Sequence, residues 1–236
     1  MKVSSQIVAQ ILDTVRQNVK PGVTTLQLDE VAESEALRLG AKAAFKGYSG
    51  YKHALCTSVN SQVIHGIPSR LKLVEGDILS VDFGILCDGF YGDAAVTIPV
   101  GSVSVSATRL LAATRESLYS AIEFARPGNR LSDISHAVQK YVESRGYSVV
   151  RDYVGHGIGR NLHESPQIPN YGLPGKGVRL KVGMVLAIEP MINEKGAAVM
   201  TLEDGWTTVT CDGGLSAHFE HTVAVTENGP IILTQL

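Results

Sequence analysis

The chain has 236 residues, 44% of them hydrophobic, and a formal net charge of −2 from 21 basic and 23 acidic side chains. That length supports a well-buried core, and charge scattered without a long run of one sign leaves no footprint for nucleic acid and no electrostatic membrane anchor. No apolar run approaches the roughly 18 residues that a bilayer span needs.

Three widely separated cysteines, Cys56, Cys87 and Cys211, form no C-x-x-C pair, so neither a disulfide framework nor a zinc ribbon is indicated. A cytoplasmic location is the expectation.

Val3, Ile7, Val8, Ile11, Leu12 and Val15 recur at helical spacing, with Ser4, Ser5, Gln6 and Gln10 between them. This predicts an amphipathic helix, ended by Pro21-Gly22, and not a signal peptide. A second helix is expected from Thr24 or Thr25 towards Leu39-Gly40. Residues 48–68 read as irregular with short strands, and 77–100 as a hairpin. Helices follow over 106–125 and 132–145, each stopped by a glycine or Pro-Gly signal. From about Val149 the chain is strand-like and punctuated by glycine. With no linker, the reading is one domain over residues 1–236 of the α+β class.

A weak repeat runs through the two halves. Ile64-His65-Gly66-Ile67 resembles Gly155-His156-Gly157-Ile158, and the stretch from Leu73 to Asp82 resembles that from Leu180 to Glu189. Duplication would place Asp82 and Glu189 in corresponding positions; chance similarity is the alternative.

Asp82, Asp93, His156, Glu189 and Glu220 carry the chemistry. Asp88-Gly89 is a favoured two-residue hairpin turn. Counting outward from it pairs Gly84 with Asp93 and Asp82 with Ala95, which puts both acids on one face as diagonal neighbours. Asp82, Glu189 and Glu220 each lie in or beside an apolar run. Buried acids need partners, and no matching set of buried-looking Lys or Arg is nearby. Divalent cations are the economical answer. His156 adds a nitrogen that a pure magnesium or calcium site would lack. Two adjacent ions held mainly by carboxylates suit hydrolysis, because a bridging water is acidified into a nucleophile at neutral pH. His65 and His163 have two readings of equal weight, as structural histidines or as groups that polarise a carbonyl or steady an amide nitrogen. His136 is expected to face solvent, and His53 and His221 to be structural. Cys56 lacks a base that would make it a nucleophile.

Several ordered stretches now coincide with one family. Cys56 to Asn60, His65 to Pro68, Val81-Asp82, Asp88 to Asp93, Gly155 to Arg160, His163 to Pro166, Ile188 to Pro190 and Phe219 to Thr222 resemble the type I methionine aminopeptidases over essentially the whole chain. The resemblance implies the pita-bread fold, a pseudo-two-fold antiparallel sheet core covered by helices around a dinuclear metal centre. It implies release of the initiator methionine from nascent chains with a small second residue. By the same resemblance, Asp82, Asp93, His156, Glu189 and Glu220 are metal ligands, with Asp93 and Glu220 bridging. Glu189 also carries the proton of the bridging water, and His65 and His163 contact the scissile amide and its oxyanion. Tyr48, Tyr51, Cys56 and Trp206 wall the methionine pocket, where His65 and His163 also meet substrate. Two divalent ions are implied, with Co, Mn, Fe and Zn all suited. Methionyl peptides are the partners, the ribosome is a candidate partner, and a monomer is expected.

Three positions depart from many relatives: Phe45 for a cysteine, Leu162 for a phenylalanine, and His218 for a glutamine. The alternatives are a proline-specific peptidase of the same fold, which usually carries an extra N-terminal domain, and a non-catalytic binding protein, which predicts eroded ligands.

Overall fold

A computed structural model describes residues 1–235. Helices α1 (Lys2–Asn18) and α2 (Thr25–Arg38) come first, followed by the short strand β1 (Lys42–Ala43) and a helical turn at Tyr48–Gly50. Next are β2 (Cys56–Val59), β3 (Gln62–Ile64) and the long hairpin β4 (Ile78–Cys87) and β5 (Phe90–Pro99). The second half runs through α3 (Val105–Ile122), α4 (Leu131–Glu143), β6 (Ser148–Val149), β7 (Val154–Gly157) and β8 (Glu164–Pro169). It continues with β9 (Val185–Ile188), β10 (Met191–Asn193), β11 (Val199–Thr201) and β12 (Thr208–Thr210). The last strands are β13 (Ser216–His218), β14 (Glu220–Thr226) and β15 (Gly229–Ile232).

Local chemistry explains the boundaries. Thr24 caps α2 in a reciprocal capping box with Gln27, and Ser104 caps α3 by accepting from the Ala107 N–H. Along α1 the buried stripe is Ile7, Val8, Ile11, Leu12 and Val15, as the spacing predicts, but Val3 is 60% exposed. The first turn presents its Ser4-Ser5 backbone to the sheet instead. A side-chain carbon at Gly92 would lie 2.9 Å from Ser5 N, so the helix packs directly on that glycine and Val3 is turned outward.

One antiparallel sheet has the order β1-β4-β5-β14-β9-β7-β8, with β2 on the edge of β4 and β15 on β14. Two small sheets, β13-β10-β6 and β11-β12-β3, close over it. The core divides in two. Residues of α1 and α2 pack on Leu79, Val81, Phe83 and Ile85 of β4, while those of α3 and α4 pack on Leu186 and Ile188 of β9 and Val223 and Val225 of β14. Each half is thus a helix pair on a strand pair, as the internal repeat suggests. The β4–β5 turn has Asp88 at φ 50° and Gly89 at φ 75°, both left-handed, as a two-residue hairpin turn requires. Its register pairs Gly84 with Asp93 and Asp82 with Ala95, the arrangement counted from the sequence.

Candidate metal centre

The five ligand candidates come from β4, β5, β7, the end of β9 and the start of β14, and sheet register brings them together. Glu220 pairs with Ala95 on β14–β5, so Asp82, Ala95 and Glu220 form one row across three strands. Asp93 lies two residues along β5 from that row and shares its face. On the far side His221 pairs with Ile188 and His156 with Ala187. One residue further, Glu189 stands opposite Glu220, and it shares a face with Ala187 and hence with His156. Glu189 lies just beyond β9, where Pro190 interrupts the ladder before β10.

Glycines make room for this approach. A side-chain carbon at Gly155 would stand 2.4 Å from the Ala187 carbonyl oxygen, and one at Gly157 would stand 2.3 Å from that of Ser165. Ligand atoms of Asp93, His156 and Glu220 all lie within 4.8 Å of one another. His156 Nε2 lies 3.5 Å from Glu189 Oε1.

A cavity of about 190 Å³ opens over these groups. All eleven residues singled out in the sequence line it: Asp82, Asp93, His156, Glu189, Glu220, His65, His163, Tyr48, Tyr51, Cys56 and Trp206. Phe45, Ser49 and Leu162 complete the wall. Trp206 meets Tyr51 edge-on at 4.9 Å between ring centroids and His65 at 6.3 Å. The His163 ring lies 4.4 Å from that of His156, and its Nδ1 is 2.7 Å from the Tyr48 hydroxyl.

Burial sets the electrostatics. It pushes Asp82 up to about 7 and raises Asp93, Glu189 and Glu220 well above the usual carboxylate range; neighbouring acids raise those three further. Burial also lowers His65 and His156 to about 4, His218 to about 3, and His163 below its ordinary value. No Lys or Arg is buried among the described residues, so the acids have no cationic side chain to neutralise them. Desolvating an ion costs several kcal/mol even after relaxation, and four acids share this cavity.

The donor set fits divalent cations. Asp82 Oδ1, Asp93 Oδ1 and Glu220 Oε1 are buried without any hydrogen-bond partner. His156 Nδ1 is 2.9 Å from the Gly157 carbonyl; donating there leaves the Nε2 lone pair facing the carboxylates, the tautomer that binds metal.

Several supporting residues escaped sequence reasoning. Thr222 Oγ1 donates to the Asp93 carbonyl at 2.7 Å and accepts from the Asp93 N–H at 3.1 Å. Asn170 Nδ2 donates to the Glu189 carbonyl at 2.9 Å. No local pattern marks such threonine and asparagine clamps. His136 is half-buried against the Gly172 carbonyl at 3.1 Å, not solvent-facing as expected, because the 171–174 loop folds over α4. His53 pairs with Asp29 at 2.8 Å and His221 with Thr234 at 2.9 Å, both structural contacts.

A buried, carboxylate-rich centre with one metal-ready imidazole, set in a two-lobed α+β shell, defines a hydrolytic metalloprotein site. The profile of metallopeptidase family M24 matches residues 1–227, and the chain belongs to that family. It is 52% identical to methionine aminopeptidase 1 of Bacillus subtilis over 100% of this chain and 95% of the relative. It is 44% identical to the Escherichia coli methionine aminopeptidase over 99% of this chain and 89% of that protein. The crystal structure of methionine aminopeptidase from Thermotoga maritima superposes with a TM-score of 0.98 at 52% identity, covering 100% of this chain and 95% of that one. The fold is therefore the pita-bread fold expected from the sequence. Prolidase from Pyrococcus furiosus shares it at TM-score 0.80 and 24% identity, with this chain spanning 63% of that one.

Proposed function

We propose that this chain, acting as one catalytic domain, removes the N-terminal methionine from peptides and nascent proteins whose second residue is small. Its full-length likeness to methionine aminopeptidases at about half identity supports that substrate. The observation that carries the chemistry is the set of unpartnered carboxylate oxygens of Asp82, Asp93 and Glu220 that line one cavity with His156. Asp82, Asp93, His156, Glu189 and Glu220 would hold two divalent ions, with Co, Mn, Fe and Zn compatible with oxygen-rich ligands and one nitrogen. Bound there, such ions supply Lewis acidity and a water acidified to near neutrality.

The protein's own groups do the rest. Glu189 is the proton carrier: its side chain, 13% exposed, lines the cavity and is flanked by imidazoles. With the Tyr48 hydroxyl donating to His163 Nδ1, His163 keeps its proton on Nε2 and offers it to the substrate carbonyl oxygen. His65, held in a left-handed conformation at φ 58° and edge-on to Tyr153 and Trp206, steadies the amide nitrogen. Tyr48, Tyr51, Cys56 and Trp206, with Phe45 and Leu162, enclose an unbranched thioether among aromatic faces.

The test compares Met-Ala and Xaa-Pro peptides with and without chelator. Release of methionine that chelator stops is expected. Cleavage of only the prolyl peptide, or of neither with metal supplied, would overturn this reading.

A further inference from the structure

Glu189 has its two carboxylate oxygens directed at two different imidazoles. Oε1 lies 3.5 Å from His156 Nε2, and Oε2 lies 3.9 Å from His218 Nε2. His218 is 2% exposed, and its Nε2 is buried with no hydrogen-bond partner. An unmet buried ring nitrogen is costly and is retained where a partner completes it.

The backbone of His218 is fixed firmly. Thr97 Oγ1 donates to the His218 carbonyl and accepts from its N–H, both at 2.8 Å, and Ser80 Oγ bonds the same threonine at 2.8 Å. Strand β13 also pairs His218 with Met191, two residues beyond Glu189. Thus the imidazole is anchored to both the β4–β5 hairpin and the segment that carries Glu189.

A neutral imidazole has one N–H and one lone pair. A lone pair on Nε2 would face the carboxylate lone pairs and be repelled, whereas an N–H there is attracted. The 3.9 Å gap exceeds a hydrogen bond, so the contact is a near approach that a small side-chain rotation closes.

We propose that His218 is a positioning residue: its Nε2–H holds Glu189 Oε2, so that Oε1 is presented beside His156 to a divalent cation. The inference rests on the metal-site reading above. A partner of this kind changes metal affinity by roughly 10- to 100-fold when removed.

The experiment is calorimetric titration of Mn²⁺ into chelator-treated protein, with circular dichroism and thermal melting as fold controls. His218→Met keeps an unbranched apolar volume and loses the donor; His218→Gln keeps an N–H at the same reach. The expected result is Mn²⁺ binding weakened at least about tenfold in His218→Met and restored to within about threefold of the parent in His218→Gln. In methionyl-peptide assays at saturating Mn²⁺, His218→Met should lower kcat more than it raises KM. Unchanged Mn²⁺ affinity in His218→Met, or equal loss in both variants, would overturn the proposal, since the second result means shape alone matters. Glu189→Gln, titrated alongside, separates the two readings: if it too leaves Mn²⁺ binding unchanged, the metal site itself is wrong.

Discussion

Asp82 and Glu220 flank one residue, Ala95, from opposite sides: Asp82 pairs with it on β4 and Glu220 pairs with it on β14. All three side chains share a face. The separation between the two acids is therefore two strand spacings, bridged by a single methyl group. Ala95→Leu would drive a larger side chain between them. Mn²⁺ affinity is expected to fall at least about tenfold, with a stability loss of about 1–3 kcal/mol from overpacking. Titration calorimetry and denaturant melts measure the two effects separately.

Glu189→Gln keeps size and removes the charge. Turnover of a methionyl peptide should fall about 100-fold or more, because general acid–base groups contribute on that scale. The melting temperature of the metal-free protein should hold or rise, since a buried carboxyl is replaced by a neutral amide. Near-parental kcat would show that the proton is carried elsewhere.

Metal-free protein should lose stability as pH rises above 6.5. The sign follows from proton binding. Asp82 is raised to about 7, and Asp93, Glu189 and Glu220 are raised well above the ordinary carboxylate value, so the folded state holds protons that the unfolded chain has already released. That contribution is full below the ordinary carboxylate value and lost as pH climbs through the raised ones. Below 6.5 the lowered histidines oppose it: His65 and His156, near 4, stay neutral in the fold while the unfolded chain takes up protons. Between pH 6.5 and 8 that opposition fades, because the unfolded imidazoles release their remaining protons, and the acids dominate. Thermal melts should fall across that interval without metal and flatten when Mn²⁺ is added.

Gly155→Ala tests the close approach of β7 to β9. The new methyl would lie 2.4 Å from the Ala187 carbonyl oxygen and 3.3 Å from Glu189 Cγ. Separation of the strands would carry His156 away from Glu189. The expected outcome is a loss of about 1–3 kcal/mol in stability together with weaker Mn²⁺ binding. Parental affinity would show that the site tolerates the displacement.

Much of this architecture can be read from local sequence, for definable reasons. The Asp88-Gly89 turn fixes the β4–β5 register, and with it the shared face of Asp82 and Asp93, because two-residue turns leave no freedom in pairing. Helix caps at Thr24 and Ser104 act over three residues and are equally local. The meeting of Glu189 with Glu220 is different: it depends on β9 pairing with β14 across more than thirty residues of intervening chain, which no nearby signal specifies. Apolar context marked both acids as needing partners, and family resemblance supplied their neighbours. The clamps from Thr97, Asn170 and Thr222 stayed hidden, since a buried hydroxyl or amide carries no pattern. Val3 misled because the spacing of apolar residues cannot reveal a glycine on the opposing strand.

The most direct measurement is equilibrium dialysis of chelator-treated protein against Mn²⁺, with bound metal counted by elemental analysis and methionine release assayed in the same samples. Two ions per chain at saturation are expected, with activity that rises with occupancy and loss of both in Asp93→Asn and Glu220→Gln. Full methionine release from protein that holds no metal would contradict it.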